Sequence, residues 1–298
     1  MSPIAHRIRV GTASWTDLTL IKCGRFYPKG CSSAEDRLRF YASQFPLVEV
    51  NSSYYALPSS STSQLWAERT PSDFVFNVRA FRLFTDHQTP IEALPPDVQQ
   101  ALGPWKTLNI HYRDMPAELV DEMWRQFTEA AGPLEAAGKL GALHFQYAPW
   151  LVYSPQARAH VAERRRRLPG RLLTVEFRHQ SWFSERNRVR TLSFERDMNL
   201  VNTVLDAPQG FFNSVAAHWD VTNANLALVR LHGRNTQTWN AKGLVSAASR
   251  FNYDYSDLEL DELSVPIAKL AQQVAETHVV FNNNMEDQGQ HTSPALVP

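Results

Sequence analysis

The chain has 298 residues, with 30 Lys plus Arg and 30 Asp plus Glu, so attraction to nucleic acid or to a membrane surface would have to come from a local patch. No apolar run approaches the ~18 residues of a membrane span, and the amino terminus lacks the apolar stretch of a signal peptide. We therefore expect a cytoplasmic protein with no membrane partner. The two cysteines, Cys23 and Cys31, form neither a disulfide framework nor a four-cysteine metal pattern.

Eight short apolar runs recur along the chain, each rich in the β-branched and aromatic residues that suit buried strands. They alternate with stretches of helical pattern, which predicts parallel βαβ units, and eight such units in about 250 residues or more close into a (β/α)8 barrel of the TIM type. We predict one α/β barrel domain over residues 1–285 and a loosely ordered, polar tail over residues 286–298. The runs are residues 8–14, 47–51, 74–79, 142–147, 172–177, 200–206, 226–232 and 278–282.

Helix signals lie between these runs. Ser32 with Glu35, and Ser256 with Glu259, have the spacing of a capping box, and Pro116 stands at a first-turn position before another amphipathic stretch. These signals are typical of the helices that surround a barrel, and none of them requires a second domain.

Two connections are longer than the others, after the third and the seventh predicted strand. Their aromatic and basic residues allow two interpretations: a stacking wall for bases or sugars, or ordinary packing beneath long loops. The first insertion carries Phe81, Phe84, His87, Trp105, His111 and Tyr112, and the second carries Trp239, Lys242, Arg250, Phe251, Tyr253 and Tyr255.

Polar residues alternate with apolar ones in the predicted strands, so the strand period of two assigns them to the barrel interior. In residues 173–178, for example, the apolar positions would face the helices, which leaves Thr174, Glu176 and Arg178 inside. The same reasoning places inside Glu49, Asn51, Asn77, Arg79, His144, Gln146, Asp206, Arg230, His232 and Asn282.

Three carboxylates and three guanidinium groups would then share a small volume, where each unpaired ion costs several kcal/mol of desolvation. One interpretation is an ion-pair network that only closes the top of the barrel. The other is a functional site, since barrel enzymes keep their active sites at the carboxyl ends of the strands. For the set as a whole we favour the functional site.

Several motifs support a resemblance to a known family. They are Gly11-Thr12-Ala13-Ser14-Trp15, Phe26-Tyr27-Pro28, Val48-Glu49-Val50-Asn51-Ser52-Ser53-Tyr54-Tyr55 with Leu57-Pro58, Val175-Glu176-Phe177-Arg178-His179 with Ser181-Trp182, Arg230-Leu231-His232-Gly233-Arg234, and Phe281-Asn282-Asn283. Their types and order resemble the YecE-like family (domain of unknown function 72) over nearly the whole chain. The resemblance implies a TIM-type barrel and supplies no established reaction.

Some positions depart from that family's pattern. Arg79 stands where the resemblance leads us to expect Lys, and an Arg stays protonated, so it cannot transfer a proton as an amine can. Thr12-Ala13-Ser14-Trp15 replaces the more usual Thr-Ser-Gly-Trp, and the ending at residues 288–292 is altered.

Our leading hypothesis is an enzyme, a hydrolase or lyase, that uses acid–base chemistry on an anionic, phosphate-bearing small molecule. Carboxylate and imidazole groups are the candidates for proton transfer: Glu176, His179, Asp206 and His232. Arginines would hold substrate oxygens and amides would orient the substrate. The substrate-binding candidates are Trp15, Glu49, Asn51, Tyr54, Arg79, Gln146, Arg178, Trp182, Arg230, Arg234, Asn282 and Asn283.

Two alternatives stay open. A metal-dependent phosphodiesterase or endonuclease-like enzyme would bind a divalent metal with Glu49, Glu176, His179, Asp206 and His232, but neighbouring arginines oppose a cation, so we predict no cofactor. A non-catalytic protein would bind nucleic acid or a metabolite, with stacking on Trp15, Tyr54, Tyr55, Trp182 and Trp239. Nicotinamide, kinase and esterase motifs are absent from the sequence.

Overall fold

The computed structural model describes residues 7–244 and 248–293. Eight parallel strands close into a barrel in the order β1-β10-β9-β8-β7-β6-β3-β2, which confirms the predicted α/β barrel. The strands are β1 (Arg7–Ala13), β2 (Leu47–Val50), β3 (Val75–Arg79), β4 (Thr89–Pro90), β5 (Asn109–Ile110), β6 (Leu140–Gln146), β7 (Leu173–Glu176), β8 (Leu200–Asp206), β9 (Leu226–Leu231) and β10 (Glu276–Phe281), of which β4 and β5 form a separate antiparallel pair.

Helices surround the barrel on most sides. Over the described residues they are α1 (Leu18–Cys23), α2 (Ala34–Gln44), α3 (Ser60–Glu68), α4 (Pro96–Leu102), α5 (Ala117–Ala136), α6 (Pro155–Arg167), α7 (Arg188–Asp197), α8 (Asp257–Ala271) and α9 (Gln288–Thr292). Within the same residues no helix combines the length and the apolarity that crossing a membrane requires.

Capping chemistry sets where two of these helices begin. Ser256 and Glu259 form the predicted capping box at α8. At α2 the box is shifted by one residue from our prediction, since Ser33 and Asp36 form it. A serine and an acidic residue occur in both registers there, and the extended backbone of Ser33 decides which one caps.

The connections between strands follow the predicted pattern with one exception. The long ones lie after β3, where residues 80–139 hold β4, β5, α4 and α5, and after β9, where residues 232–275 hold α8. Between β8 and β9, residues 207–225 are all described and contain no helix. The barrel therefore lacks one of the eight helices that an ideal (β/α)8 fold would have.

The barrel interior has an apolar lower layer and a polar upper layer. Side chains toward the amino ends of the strands pack into one apolar cluster: Leu47, Val75, Ala142, Val201, Leu226, Leu228 and Val280. Continuing two residues toward the carboxyl ends reaches Glu49 on β2, Asn77 on β3 and His144 on β6, each fully buried. The polar side chains at the carboxyl ends lie on the side of the barrel where barrel enzymes keep their active sites.

The carboxyl-terminal segment differs from our prediction. We expected residues 286–298 to be loosely ordered, but residues 288–292 form α9, and Gly289, Gln290 and Ser293 are buried. Gln290 Nε2 also lies 3.3 Å from Thr12 Oγ1 of β1. Low apolar content hid this element, because α9 is held by polar contacts with the barrel. The rest of the predicted tail, residues 294–298, lies outside the described residues.

Candidate functional site at the barrel mouth

Arg230 of β9 lies at the centre of the polar upper layer. Its Nη2 donates to Glu49 Oε1 at 2.7 Å, and its Nη1 donates to Glu176 Oε2. Arg230, Glu49 and Glu176 each have an exposure of 0%. The guanidinium also reaches Gln146 Oε1 at 3.2 Å and Asn282 Oδ1 at 3.3 Å. Side chains from five strands, or from the residues directly after them, are thus joined through one cation.

Two histidines flank the Glu176 carboxylate. His144 Nε2 lies 3.4 Å from Oε2, and His232 Nε2 lies 3.4 Å from Oε1. Asn282 Oδ1 accepts from Arg230, so its Nδ2 is turned toward His232 Nδ1, 2.8 Å away, and donates to it. This assignment leaves the imidazole proton of His232 on Nε2, facing Glu176.

The charge states in this layer follow from burial and from Arg230. Burial alone would raise the pKa of Glu176, but the Arg230 charge outweighs it and holds that pKa well below its ordinary range. The same balance lowers the pKa of Glu49. Burial lowers the pKa of His232 to about 4, and it also lowers the pKa of His144. Near neutral pH the two glutamates are therefore charged and the two histidines neutral.

Two further arginines lie at the mouth, and they are only partly neutralised. Arg178 Nη1 lies 3.1 Å from Glu176 Oε1. Arg79 is 8% exposed, and its polar partner is the Asn51 side-chain oxygen rather than a carboxylate. No carboxylate among the described residues lies within ion-pair distance of Arg79, and its Nε is buried without a hydrogen-bond partner. Three guanidinium groups facing two carboxylates leave a net positive charge.

Two guanidinium groups at the mouth lie against one aromatic ring. The Arg79 guanidinium lies 4.0 Å from the centroid of the Tyr54 ring, and that of Arg82 lies 5.4 Å from it. Both contacts fall within cation–π range. Arg82 Nε is likewise buried without a hydrogen-bond partner among the described residues. The positive side of the mouth is thus formed after β2 and β3.

The insertion after β9 covers the opposite side of the mouth. Trp239 and Phe251 lie over His232, with ring centroids 6.1 Å and 5.6 Å from the imidazole. The Arg178 guanidinium is 4.9 Å from the centroid of Trp239. These rings help to bury His232, which is 1% exposed.

Asp206 was expected inside the barrel and Arg234 was expected to hold substrate oxygens, but the structure pairs them outside the Arg230 cluster. Arg234 Nη2 donates to Asp206 Oδ1 at 2.9 Å, and Tyr255 donates to Asp206 Oδ2 at 2.6 Å. Asp206 is on the same face of β8 as Val204, which packs in the outer core between barrel and helices. Strand β8 has apolar residues on both faces, so its sequence did not define which face is inside.

His179 is also separate from the central cluster. It caps the 3-10 turn Gln180–Trp182, with Nδ1 2.8 Å from Ser181 Oγ, and burial lowers its pKa. It lines a different cavity of about 500 Å³, together with Phe183 and His218. The loop after β7 turns outward at this point, which carries the imidazole away from Glu176.

Three further candidates for ligand binding are packed outside the Arg230 cluster. Trp15 contacts Trp66 edge-on with centroids 5.5 Å apart, and Trp182 stacks on Phe177 at 3.7 Å with its indole N–H donated to Leu151 O at 2.7 Å. Asn283 is fully buried and donates to Tyr253 O at 2.9 Å. Trp15 and Asn283 each follow a strand by two residues, and Trp182 follows β7 by six.

The five residues of the metal alternative do not converge. Glu49, Glu176 and His232 meet at Arg230, whereas Asp206 and His179 lie in the two other places described above. Within residues 7–244 and 248–293, no group of three His, Cys, Asp or Glu side chains is placed to hold a metal ion. The donor atoms that do converge already share a guanidinium, which would repel a cation.

Sequence reasoning missed two residues of the mouth, Arg82 and Trp150. Arg82 follows β3 by three residues, so a search for basic residues just after strand ends would have found it. Trp150 is 53% exposed, and its indole N–H donates to Asp86 O at 3.2 Å. No pattern in the sequence indicated its place beside the mouth.

Comparison with known proteins agrees with the fold and gives no activity. A family model described as "Protein of unknown function DUF72" matches residues 9–297. UPF0759 protein YunF of Bacillus subtilis is 29% identical over 279 residues, which cover 93% of this chain and 89% of that protein. A crystal structure of a DUF72 family protein from Enterococcus faecalis has a TM-score of 0.79 at 26% identity, covering 97% of this chain and 94% of that one. Another, from Thermotoga maritima, has a TM-score of 0.76 at 26% identity, covering 98% of both chains. The family match and the closed parallel barrel together show that this chain belongs to the DUF72 family.

Proposed function

We propose that the mouth of this barrel binds a small ligand carrying a phosphate or carboxylate group. The observation that carries the proposal is Arg79, a nearly buried guanidinium without a carboxylate partner among the described residues. An unpaired buried charge destabilises the protein by several kcal/mol, and an anionic ligand would relieve that cost. Bidentate contacts from guanidinium to phosphate or carboxylate oxygens are among the stronger hydrogen bonds in proteins.

The network around Arg230 has a supporting role in this proposal. Its two carboxylates and the guanidinium compensate one another, so Arg230 has little positive charge left for a ligand. Arg79 and Arg178 lie above it at the mouth, and Asn51 holds the Arg79 guanidinium in place. A fixed layer beneath two cations preorganises the site, which reduces the entropy lost on binding.

The experiment is calorimetric titration with inorganic phosphate and with ribose 5-phosphate, on the wild type and on Arg79→Gln. We expect Arg79→Gln to weaken binding about tenfold or more, since a hydrogen bond to a charged group contributes about 1.5–3 kcal/mol. Arg125→Gln, on the exposed face of α5, is the matched control and should bind like the wild type. Equal affinities for the wild type and Arg79→Gln would refute the proposal.

Acid–base catalysis on the bound ligand, as a hydrolase or lyase, is the second candidate. It is favoured by the contact between Glu176 and His232 at the carboxyl ends of the strands. Against it, the pKa of each group is lowered, so neither titrates near neutrality, and both are fully bonded. Glu176→Gln separates the candidates: lost turnover with retained phosphate affinity would support an enzyme, and changed affinity alone would support a binding protein.

A further inference from the structure

We propose that the ligand of this mouth also carries a flat aromatic ring, as a nucleoside phosphate does, and that the ring stacks on an aromatic wall beside Arg79. The wall consists of Tyr54, Tyr55, His87 and Trp150. This inference rests on the proposed anion-binding function and adds a substrate class to it.

The wall is continuous and belongs to neighbouring strands. Tyr54 contacts Tyr55 at a centroid distance of 4.9 Å and His87 at 5.3 Å, and His87 contacts Trp150 at 5.6 Å. The two tyrosines follow β2, His87 follows β3 and Trp150 follows β6, and these strands are adjacent in the barrel. The four rings therefore occupy one sector of the carboxyl-terminal rim.

The ends of the wall are open to solvent, unlike its middle. Tyr55 is 49% exposed and Trp150 is 53% exposed, whereas Tyr54 and His87 are buried. The two exposed rings flank the buried pair, so a ligand can reach the wall at Tyr55 and at Trp150. The bond from the Trp150 indole to Asp86 O fixes the exposed ring, which suits it to stacking.

The positive charge lies against the same rings. Arg79 and Arg82 both lie within cation–π distance of Tyr54, and neither has a carboxylate partner among the described residues. His87 is neutral near pH 7, since burial, then Arg79 and Arg82, lower its pKa to about 3. A phosphate on the arginines would thus hold the ring attached to it beside Tyr55 or Trp150. Cationic side chains combined with exposed rings are the usual means of binding nucleotides without reading the base.

The arrangement also explains which aromatic residues of the long insertions take part. Phe81 and Phe84 are fully buried, and Phe84 stacks on Trp124 at 3.9 Å, so they belong to the core. Trp239 and Phe251 cover His232 on the other side of the mouth. Of the aromatic residues in the first insertion, His87 is the one that joins the wall.

The test compares adenosine 5′-phosphate with ribose 5-phosphate, in which a hydroxyl group takes the place of the base. We expect the nucleotide to bind the wild type about tenfold more tightly, as stacking on one or two rings predicts. Tyr55→Ala or Trp150→Ala should abolish the preference for the nucleotide while ribose 5-phosphate still binds. Phe212→Ala is the control, because this exposed ring follows β8 and lies outside the wall.

The outcomes separate the two proposals. If ribose 5-phosphate and the nucleotide bind equally, the aromatic wall is not a ring subsite, although the anion site stands. A preference for the nucleotide that survives in both Tyr55→Ala and Trp150→Ala would overturn the placement of the ring. If neither compound binds, the anion-binding function and this inference both fail.

Discussion

Replacing Arg230 by Met should destabilise the protein strongly, and the loss should depend on pH. The substitution keeps an unbranched, flexible side chain, although a shorter one, and removes the cation that both buried carboxylates share. Glu176 would retain Arg178 at 3.1 Å, but Glu49 would have no ion-pair partner left among the described residues. Breaking a buried pair by removing one partner costs about 3–5 kcal/mol. The total stability of such a domain is about 5–15 kcal/mol, so the change is large.

The sign of the pH dependence follows from the pKa of the buried glutamates in the wild type and in the variant. In the wild type Arg230 holds the pKa of Glu49 and Glu176 below normal, so their stabilising effect is full above about pH 4.3 and is lost as pH falls through the lower folded values. In Arg230→Met, burial raises the pKa of Glu49 instead. The cost of burying the unpaired Glu49 charge is then absent at low pH and grows as pH rises. The difference in the free energy of unfolding between wild type and variant is therefore largest at pH 7 and above.

The assay is urea unfolding followed by circular dichroism at pH 5.0 and 7.5, with Arg125→Met on exposed α5 as the control. The double variant Glu49→Gln/Arg230→Met should recover part of the loss at pH 7.5, because it removes the stranded charge. A loss below ~1 kcal/mol at pH 7.5, or an equal loss at both pH values without recovery in the double variant, would refute the reasoning.

Three shorter predictions follow from other parts of the fold. Trp182→Ala should cost about 3–5 kcal/mol while leaving phosphate affinity unchanged, because the indole packs on Phe177; weaker binding with unchanged stability would contradict this. Glu195→Met should stabilise the protein by about 1–3 kcal/mol at pH 8 and by less at pH 5. Both buried carboxylate oxygens of Glu195 lack partners among the described residues, and burial raises the Glu195 pKa well above normal. Lower stability of the variant at pH 8 would count against this prediction. Gly11→Ala should lower the melting temperature clearly, because the added Cβ would lie 2.0 Å from Leu47 O in the neighbouring strand; an unchanged melting temperature would show that the strands can separate there.

Several features of the mouth were predictable from sequence because the strands alternate clearly. In β7 the apolar Leu173 and Val175 face the helices, which leaves Glu176 inside. The same reading correctly placed Glu49 and Arg230 inside the barrel. Burial of the apolar face is strong enough to fix the register, since a shift by one residue would expose it.

The sequence by itself determined the number of strands, the parallel barrel and the polar upper layer, because each depends on periodicity along one strand. Only the tertiary structure decided which charges meet. Asp206 faces outward and pairs with Arg234, and the sequence did not define this because β8 is apolar on both faces. Trp182 packs on Phe177 because the chain turns outward after β7. The aromatic wall joins rings from three separate connections, and contact between such distant segments depends on the closure of the barrel, which leaves no local signal in any one of them.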